Sequence, residues 1–414
     1  MTGGEDTVVS CDRRLLEEMG HKVSCYICSN EELAGMDMQE RMMTAAGYIS
    51  SSRAKTKYTD LIHSTCPDVI WVHNTLWMIS TALYEAAGEC GIPVIQTVHN
   101  YRLVCPSGIL YREDKDPEGG GGSMCKECIH KGLLCSVRHK CYRDNAILSA
   151  LIAMALKRQR RLGIYRNMYF ACLSGTQKKI LLDAGIGIDP HKVFIKRNHI
   201  YDLGHSDEEG VKDEGISYKD RRNLFVYAGR LEENKGIKEL LGAWLMLDDS
   251  AKQDDCDMTQ NPDCAKECPE LVIMGEGSLV GYVKEFIKDH HLEHVRFSGH
   301  VGRVEVRQSL AEAKALIYPS KWYEGQPMTI TESYACHTPV IVSDIGNAAD
   351  MVDEGVTGMH ADHRNLAEGI RDIVSRWDEI FSYNKEAIEE KAALYSPKSA
   401  VETTAAILDD ITKA

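Results

Sequence analysis

The chain contains no run of about twenty apolar residues, the length a helix needs to span a bilayer. It also lacks a basic excess. Lys and Arg total 48 against 62 Asp and Glu, for a formal net charge of −14. That balance excludes a general nucleic-acid binder, whose affinity comes from basic surface, and any anionic ligand must be met by local positive groups. The opening MTGGEDTVVSCDRR lacks the basic start and apolar core of a secretory leader. A cytoplasmic protein is therefore expected. Its 15 cysteines are expected as thiols or metal ligands rather than a disulfide framework.

The chain has enough apolar material for a sizeable interior. At 414 residues with 43% hydrophobic content, it exceeds one core and suggests two or three domains. Short apolar runs alternate with helical patterns. Those at 68–73 (DVIWVH), 93–99 (PVIQTVH), 168–174 (MYFACLS) and 192–198 (KVFIKRN) are read as strands, as is 21–29 (HKVSCYICS), while 7–19 is read as a helix. After a charged, glycine-containing connection at 202–222, the alternation resumes through LFVYAGR, LVIMGEG, VRFSGHV, ALIYPS and PVIVSD. Such alternation predicts α/β architecture with parallel sheets of Rossmann type, which bind ligands beyond the carboxyl ends of their strands. The expected boundaries are 1–200, 201–385 and a C-terminal helical segment, 386–414, crossing back to the first domain.

Residues 321–344 (KWYEGQPMTITESYACHTPVIVSD) follow one strand and precede another. Glu324, Gly325, Gln326 and Pro327 read as a loop, and Met328 opens a helix that carries Glu332. Free amides at a helix start suit an anion. The two carboxylates suit sugar or ribose hydroxyls. The plain alternative is a strand–turn–helix unit with two solvated glutamates. Upstream, Gly229-Arg230-Leu231-Glu232-Glu233-Asn234-Lys235-Gly236 places two cations in one strand-to-helix loop, which suits a diphosphate.

The ordered array AGRLEENKG, LVIMGEG, FSGHV, EGQPMTITE and PVIVSD resembles the retaining glycosyltransferases of the GT-B fold, family four in the usual sequence grouping. GGEDTVV, WVHN and QTVHNYRLVCPSG agree with bacterial members. The resemblance implies two Rossmann-like domains facing a cleft, with an N-terminal acceptor domain and a C-terminal domain for a nucleotide-sugar donor. It implies transfer to a hydroxyl of a saccharide or lipid-linked acceptor of polysaccharide synthesis, with retained anomeric configuration and no cofactor in catalysis. Arg230 and Lys235 would hold the diphosphate, Glu332 the ribose and Glu324 the transferred sugar. The amides of Gly325, Gln326, Pro327 and Met328 lie in the stretch that would contact sugar and phosphate. Gly229, Gly275, Glu276, Gly277 and Val301 would border the donor. His99 would reach the sugar from the other domain, and Gly3 and Gly4 would let backbone approach the ligands.

Two departures from the family pattern stand out. The family's first apolar strand, which feeds the Gly-Gly loop, has no counterpart before Gly3, so the first sheet is expected without it. His337 occupies the turn position where glycine is usual, and a left-handed conformation is expected there. Alternative readings are a truncated or degenerate homologue that binds nucleotide or a partner without catalysis, and a sugar-nucleotide epimerase.

Two other features lie outside this scheme. Cys105, Cys125, Cys128, Cys135 and Cys141 fall in a stretch read as a long irregular loop, and C-x2-C followed by further cysteines permits a structural zinc. Cys256, Cys264 and Cys268 form a weaker group in an acidic insertion. Residues 147–166 are apolar, then basic at Lys157, Arg158, Arg160 and Arg161. They could lie on the inner face of an anionic membrane or form a core helix with a charged end.

Overall fold

The structure, a computed structural model, describes residues 4–29, 32–112, 124–201, 217–253 and 268–413. The chain divides into two α/β units. One comprises Met1–Arg112, Met124–His199 and Pro397–Ala414; the other contains Ile200–Ser396. In the first, β1 (Ile70–Val72), β2 (Val94–Val98), β3 (Tyr169–Cys172) and β4 (Val193–Ile195) pair in parallel in the order β1-β2-β3-β4. Its C-terminal helix, Pro397–Lys413, places Ile407 and Ile411 against Ile95, Tyr169 and Ala171 of the sheet. The segment crossing back thus starts at Pro397, not at 386. Helix Lys385–Ala393 stays with the second unit, where Ile388 is fully buried.

The second unit has six parallel strands. They are β5 (Leu224–Ala228), β6 (Glu270–Met274), β7 (Val295–Gly299), β8 (Ala315–Tyr318), β9 (Val340–Ser343) and β10 (Gly358–Ala361). Their order is β10-β9-β8-β5-β6-β7. Successive side chains of a strand point to opposite faces. Phe225, Tyr227, Leu271, Ile273, Ile317 and Ile341 therefore enter one core with Trp244 and Leu240. Leu224, Val226, Val272, Met274, Leu316 and Val342 enter the other with Ile330 and Tyr334. Burial on both faces explains why these strands read as unbroken apolar runs. The strand order reverses between β5 and β8, and a parallel sheet opens a crevice beyond the carboxyl ends of the strands at such a point.

Two expectations are corrected, and the helix at 146–161 follows one of its two readings. Residues 21–29 form no strand: they pair with no other strand among the described residues, and Ile27 is 73% exposed. A run with β propensity becomes a strand only when a partner takes up its amides. The cysteine segment is not wholly irregular, because it contains helices Glu127–His130 and Leu134–Arg138. Helix Ala146–Arg161 is a core helix, packing Ile152, Ala153, Ala155 and Leu156 against Tyr48, Trp77 and Tyr142. Of its basic residues, Arg158 pairs with Glu85 at 2.9 Å and Arg160 donates to the Leu103 carbonyl at 2.7 Å. This core takes one apolar face of the helix, while Ile147 and Met154 stay exposed.

Candidate active site

The loops that follow β5 and β8 bring the predicted donor residues together within the second unit. After β5, the chain turns through Gly229 and Arg230 into a short 3-10 turn, Glu233–Lys235, and then helix Ile237–Gln253. Gly236 makes that passage at φ +71°, where a Cβ would lie 1.9 Å from the Pro319 carbonyl oxygen, so only glycine lets the two loops meet. Lys235 is consequently buried, and its Nζ donates to Glu324 Oε1. The same carboxylate oxygen accepts from Ser320 Oγ at 3.1 Å and from the Trp322 indole. The ammonium also lies over the ring of Trp322, 5.1 Å from its centroid, and 3.4 Å from the Tyr318 hydroxyl. Burial and the nearby Glu324 charge push the hydroxyls of Tyr318 and Tyr227 well up, keeping both neutral. Arg230 remains exposed beside this group, with its carbonyl accepting from Tyr227 at 2.8 Å.

A second loop is zipped to the first by backbone. Leu231 N–H donates to the Glu276 carbonyl at 2.8 Å, Gly229 N–H to Met274 at 3.0 Å and Gly275 N–H to Gly299 at 2.7 Å. Gly275 and Gly277 sit at φ +143° and +156°; a Cβ on Gly275 would lie 1.8 Å from the Gly229 oxygen. The Glu276 side chain is exposed, and Val301 packs on the edge of the adjoining core.

Pro327 is the N-cap of helix Met328–Ala335 and makes no side-chain cap. Its first amides are therefore not taken up by a side chain of the N-cap residue. Asn347 Nδ2 fixes the preceding loop by donating to the Gly325 carbonyl at 2.6 Å, and Gln326 is buried. Glu332 lies in the second turn of the helix. Burial raises its pKa, and the charges of Arg303 and Arg307 oppose the rise. After the helix, His337 adopts φ +52°, the expected left-handed turn.

The first unit holds the sequence-predicted His99 at the carboxyl end of β2. His99 is half-buried, and its Nε2 lies 2.9 Å from His73 Nδ1 with the rings stacked. Burial, then His73, lowers its pKa to about 3. Behind the pair, Asp12 pairs with Lys196 at 2.5 Å, with His73 Nε2 at 3.7 Å and with His199 Nδ1 at 3.6 Å. Gly3 lies outside the described residues, and Gly4 is the first residue of helix Gly4–Glu18 rather than part of a loop after a strand. Tyr318, Ser320, Trp322 and Asn347, together with the Asp12–Lys196 network, are absent from the sequence-based selection. Only Trp322 and Ser320 carried a signal, their closeness to Glu324 in the chain.

Residues 211–391 match the family model of glycosyl transferases group 1. An uncharacterized glycosyltransferase of Methanocaldococcus jannaschii is 25% identical over 225 residues, covering 51% of this chain and 53% of that protein. The chain thus spans about half the length of the curated relatives it matches. A glycosyltransferase structure from Rickettsia africae superposes with a TM-score of 0.61 at 15% identity, covering 99% of this chain and 95% of that one. Anabaena HepE, solved in complex with UDP-glucose, superposes with a TM-score of 0.54 at 14% identity, covering 87% and 82%.

Proposed function

Taking as premise that residues 211–391 belong to the glycosyl transferases group 1 family, on a chain of two parallel-sheet units with the GT-B fold, we propose that the protein moves a sugar from a nucleoside-diphosphate sugar to a hydroxyl of a saccharide or lipid-linked acceptor. The observation that carries the reading is the meeting of Lys235 and Glu324, beside exposed Arg230, where the strand order reverses between β5 and β8. This crevice offers cations for a diphosphate and carboxylates for hydroxyls within one unit.

The roles follow from the chemistry. Arg230 and Lys235 bind the diphosphate oxygens. Glu332 accepts hydrogen bonds from the ribose hydroxyls, and Glu324 from the transferred sugar. The amides opening helix Met328–Ala335 face the sugar and phosphate. As the bond from C1 to the phosphate oxygen breaks, its electron pair leaves on the nucleoside diphosphate, where the two cations stabilise the growing charge. The acceptor oxygen bonds to C1 from the same face and passes its proton to the departing phosphate oxygen, so the configuration at C1 is retained. Such leaving-group stabilisation by fixed cations needs no metal.

A nucleotide-release assay with UDP-glucose tests this reading. Release should rise when saccharide acceptors are added and disappear in Lys235→Ala. Binding without release under any acceptor would leave a nucleotide-binding protein. Conversion of the donor to another nucleotide sugar without acceptor would establish an epimerase.

A further inference from the structure

Five cysteines converge on one pocket of the first unit, apart from the donor residues. Cys105, Cys125, Cys128, Cys135 and Cys141, all present as thiols, line it together with Arg112 and Glu127. Local backbone explains the convergence. Cys105 sits in a tight turn, its N–H donating to Tyr101 and its carbonyl accepting from Gly108, each at 2.8 Å. The Cys125 N–H donates to the Leu110 carbonyl at 2.8 Å, which ties the returning chain to the outgoing one. Cys125 and Cys128 then flank the start of helix Glu127–His130, the knuckle that a C-x2-C pair forms around a metal. Cys141 closes the segment, its N–H on the Ser136 carbonyl at 2.9 Å.

From this convergence we propose that Cys105, Cys125, Cys128 and Cys141 bind one structural zinc ion, with Cys135 as a bystander. The soft sulfur set selects zinc over the hard cations that prefer oxygen. The surroundings suit the two negative charges of a zinc tetrathiolate. Arg112 lines the pocket, paired at 2.8 Å with Glu127, and Arg160 lies close enough to Cys128 to feel its charge. Among the described residues, three-ligand groups within 4.8 Å occur at Asp248–Cys268–His294 and Asp344–Asp362–His363, and not among these cysteines. A loaded tetrahedral site holds its sulfurs roughly 3.8 Å apart, given Zn–S bonds of about 2.3 Å. Loading must therefore draw the sulfurs inward, by rotation about each Cα–Cβ bond and by tightening of the segment between the short helices.

Elemental analysis of the full chain from zinc-replete culture should find about one zinc per chain. Cys128→Ser and Cys125→Ser should lose it, and Cys135→Ser should keep it. Because a variant may misfold, the native chain is also stripped with chelator and titrated with Co²⁺. Sulfur-to-cobalt charge transfer and intense tetrahedral d–d bands are expected at one equivalent. Less than about 0.2 zinc per chain together with no thiolate–cobalt absorption overturns the proposal. Bound iron in place of zinc also overturns it. Loss of metal in Cys135→Ser as complete as in Cys128→Ser overturns the assignment of the four ligands.

Discussion

Lys235 and Glu324 stand 89 residues apart in the chain, yet the ammonium of one donates to the carboxylate of the other, joining the loop after β5 to the loop after β8. Their side chains are 11% and 14% exposed. The pair is poised for exchange. On the proposed donor role, a diphosphate arriving at Lys235 would compete with Glu324, and the released carboxylate would become available to sugar hydroxyls.

Removing the lysine tests both sides of that relation. Lys235→Ala leaves a buried carboxylate held by Ser320, Trp322 and the Tyr318 hydroxyl. Breaking a buried pair costs about 3 kcal/mol or more, so thermal denaturation should show a clear loss. Titration calorimetry with a nucleoside diphosphate should show affinity weakened by about 1.5–3 kcal/mol, the value of a charge-assisted contact. An unchanged affinity would remove Lys235 from the donor site.

Glu332 should trade stability for binding. Its folded pKa is raised, chiefly by burial. The folded state therefore holds its proton over a pH window in which the unfolded state has lost it, and stability falls as pH rises from the unfolded value through the raised one. Glu332→Gln removes that slope and should be as stable as the parent at pH 7, or more so. It should nevertheless bind the nucleotide more weakly, because the ribose hydroxyls lose a charged acceptor. Denaturant melts across pH, paired with nucleotide titration, check both signs. A variant that binds as tightly as the parent would refute the ribose role.

How much of this was legible in advance depends on how local the signal was. β5, β6, β8 and β9 are runs such as LFVYA and VIVS buried on both faces, and their pattern alone marks them. Arg230, Lys235 and Glu324 sit in loops whose glycines announce the turns, and Glu332 follows in the helix that the second loop opens. What escaped was non-local. β10 is only Gly-Met-His-Ala, and it is a strand because β9 offers it a ladder. Residues 21–29 have the composition of a strand but no partner among the described residues. Asp12 and Lys196, 184 residues apart, look like surface charges until the fold buries them together.

His337 offers a test of a turn read correctly. At φ +52° a side chain crowds its own backbone, which glycine avoids. His337→Gly should therefore stabilise the second unit by up to about 1 kcal/mol, less the contact of its imidazole with Glu389 at 3.5 Å. A rise of a few degrees in melting temperature is expected, with nucleotide affinity unchanged. A fall would show that the imidazole's contacts outweigh the backbone strain.

The half-buried histidine pair makes the first unit sensitive to acid. Burial first, then the facing His73 ring, lowers the His99 pKa to about 3, against an attraction from Asp12 and a further repulsion from Lys196. His73 is lowered too, chiefly by burial. An unfolded histidine takes a proton near pH 6.5, so below that pH the unfolded state binds protons that the folded pair refuses. The stability contributed by the neutral pair is therefore whole above about pH 6.5 and drains away as pH falls toward 3. The slope is at most about 1.4 kcal/mol per pH unit for each histidine. His99→Gln can still face His73 and carries no titrating group. It should flatten the decline between pH 6 and about 4 by close to one histidine's share. Urea melts followed at several pH values measure that difference, and parallel curves for parent and variant would mean that His99 is not held neutral by its surroundings.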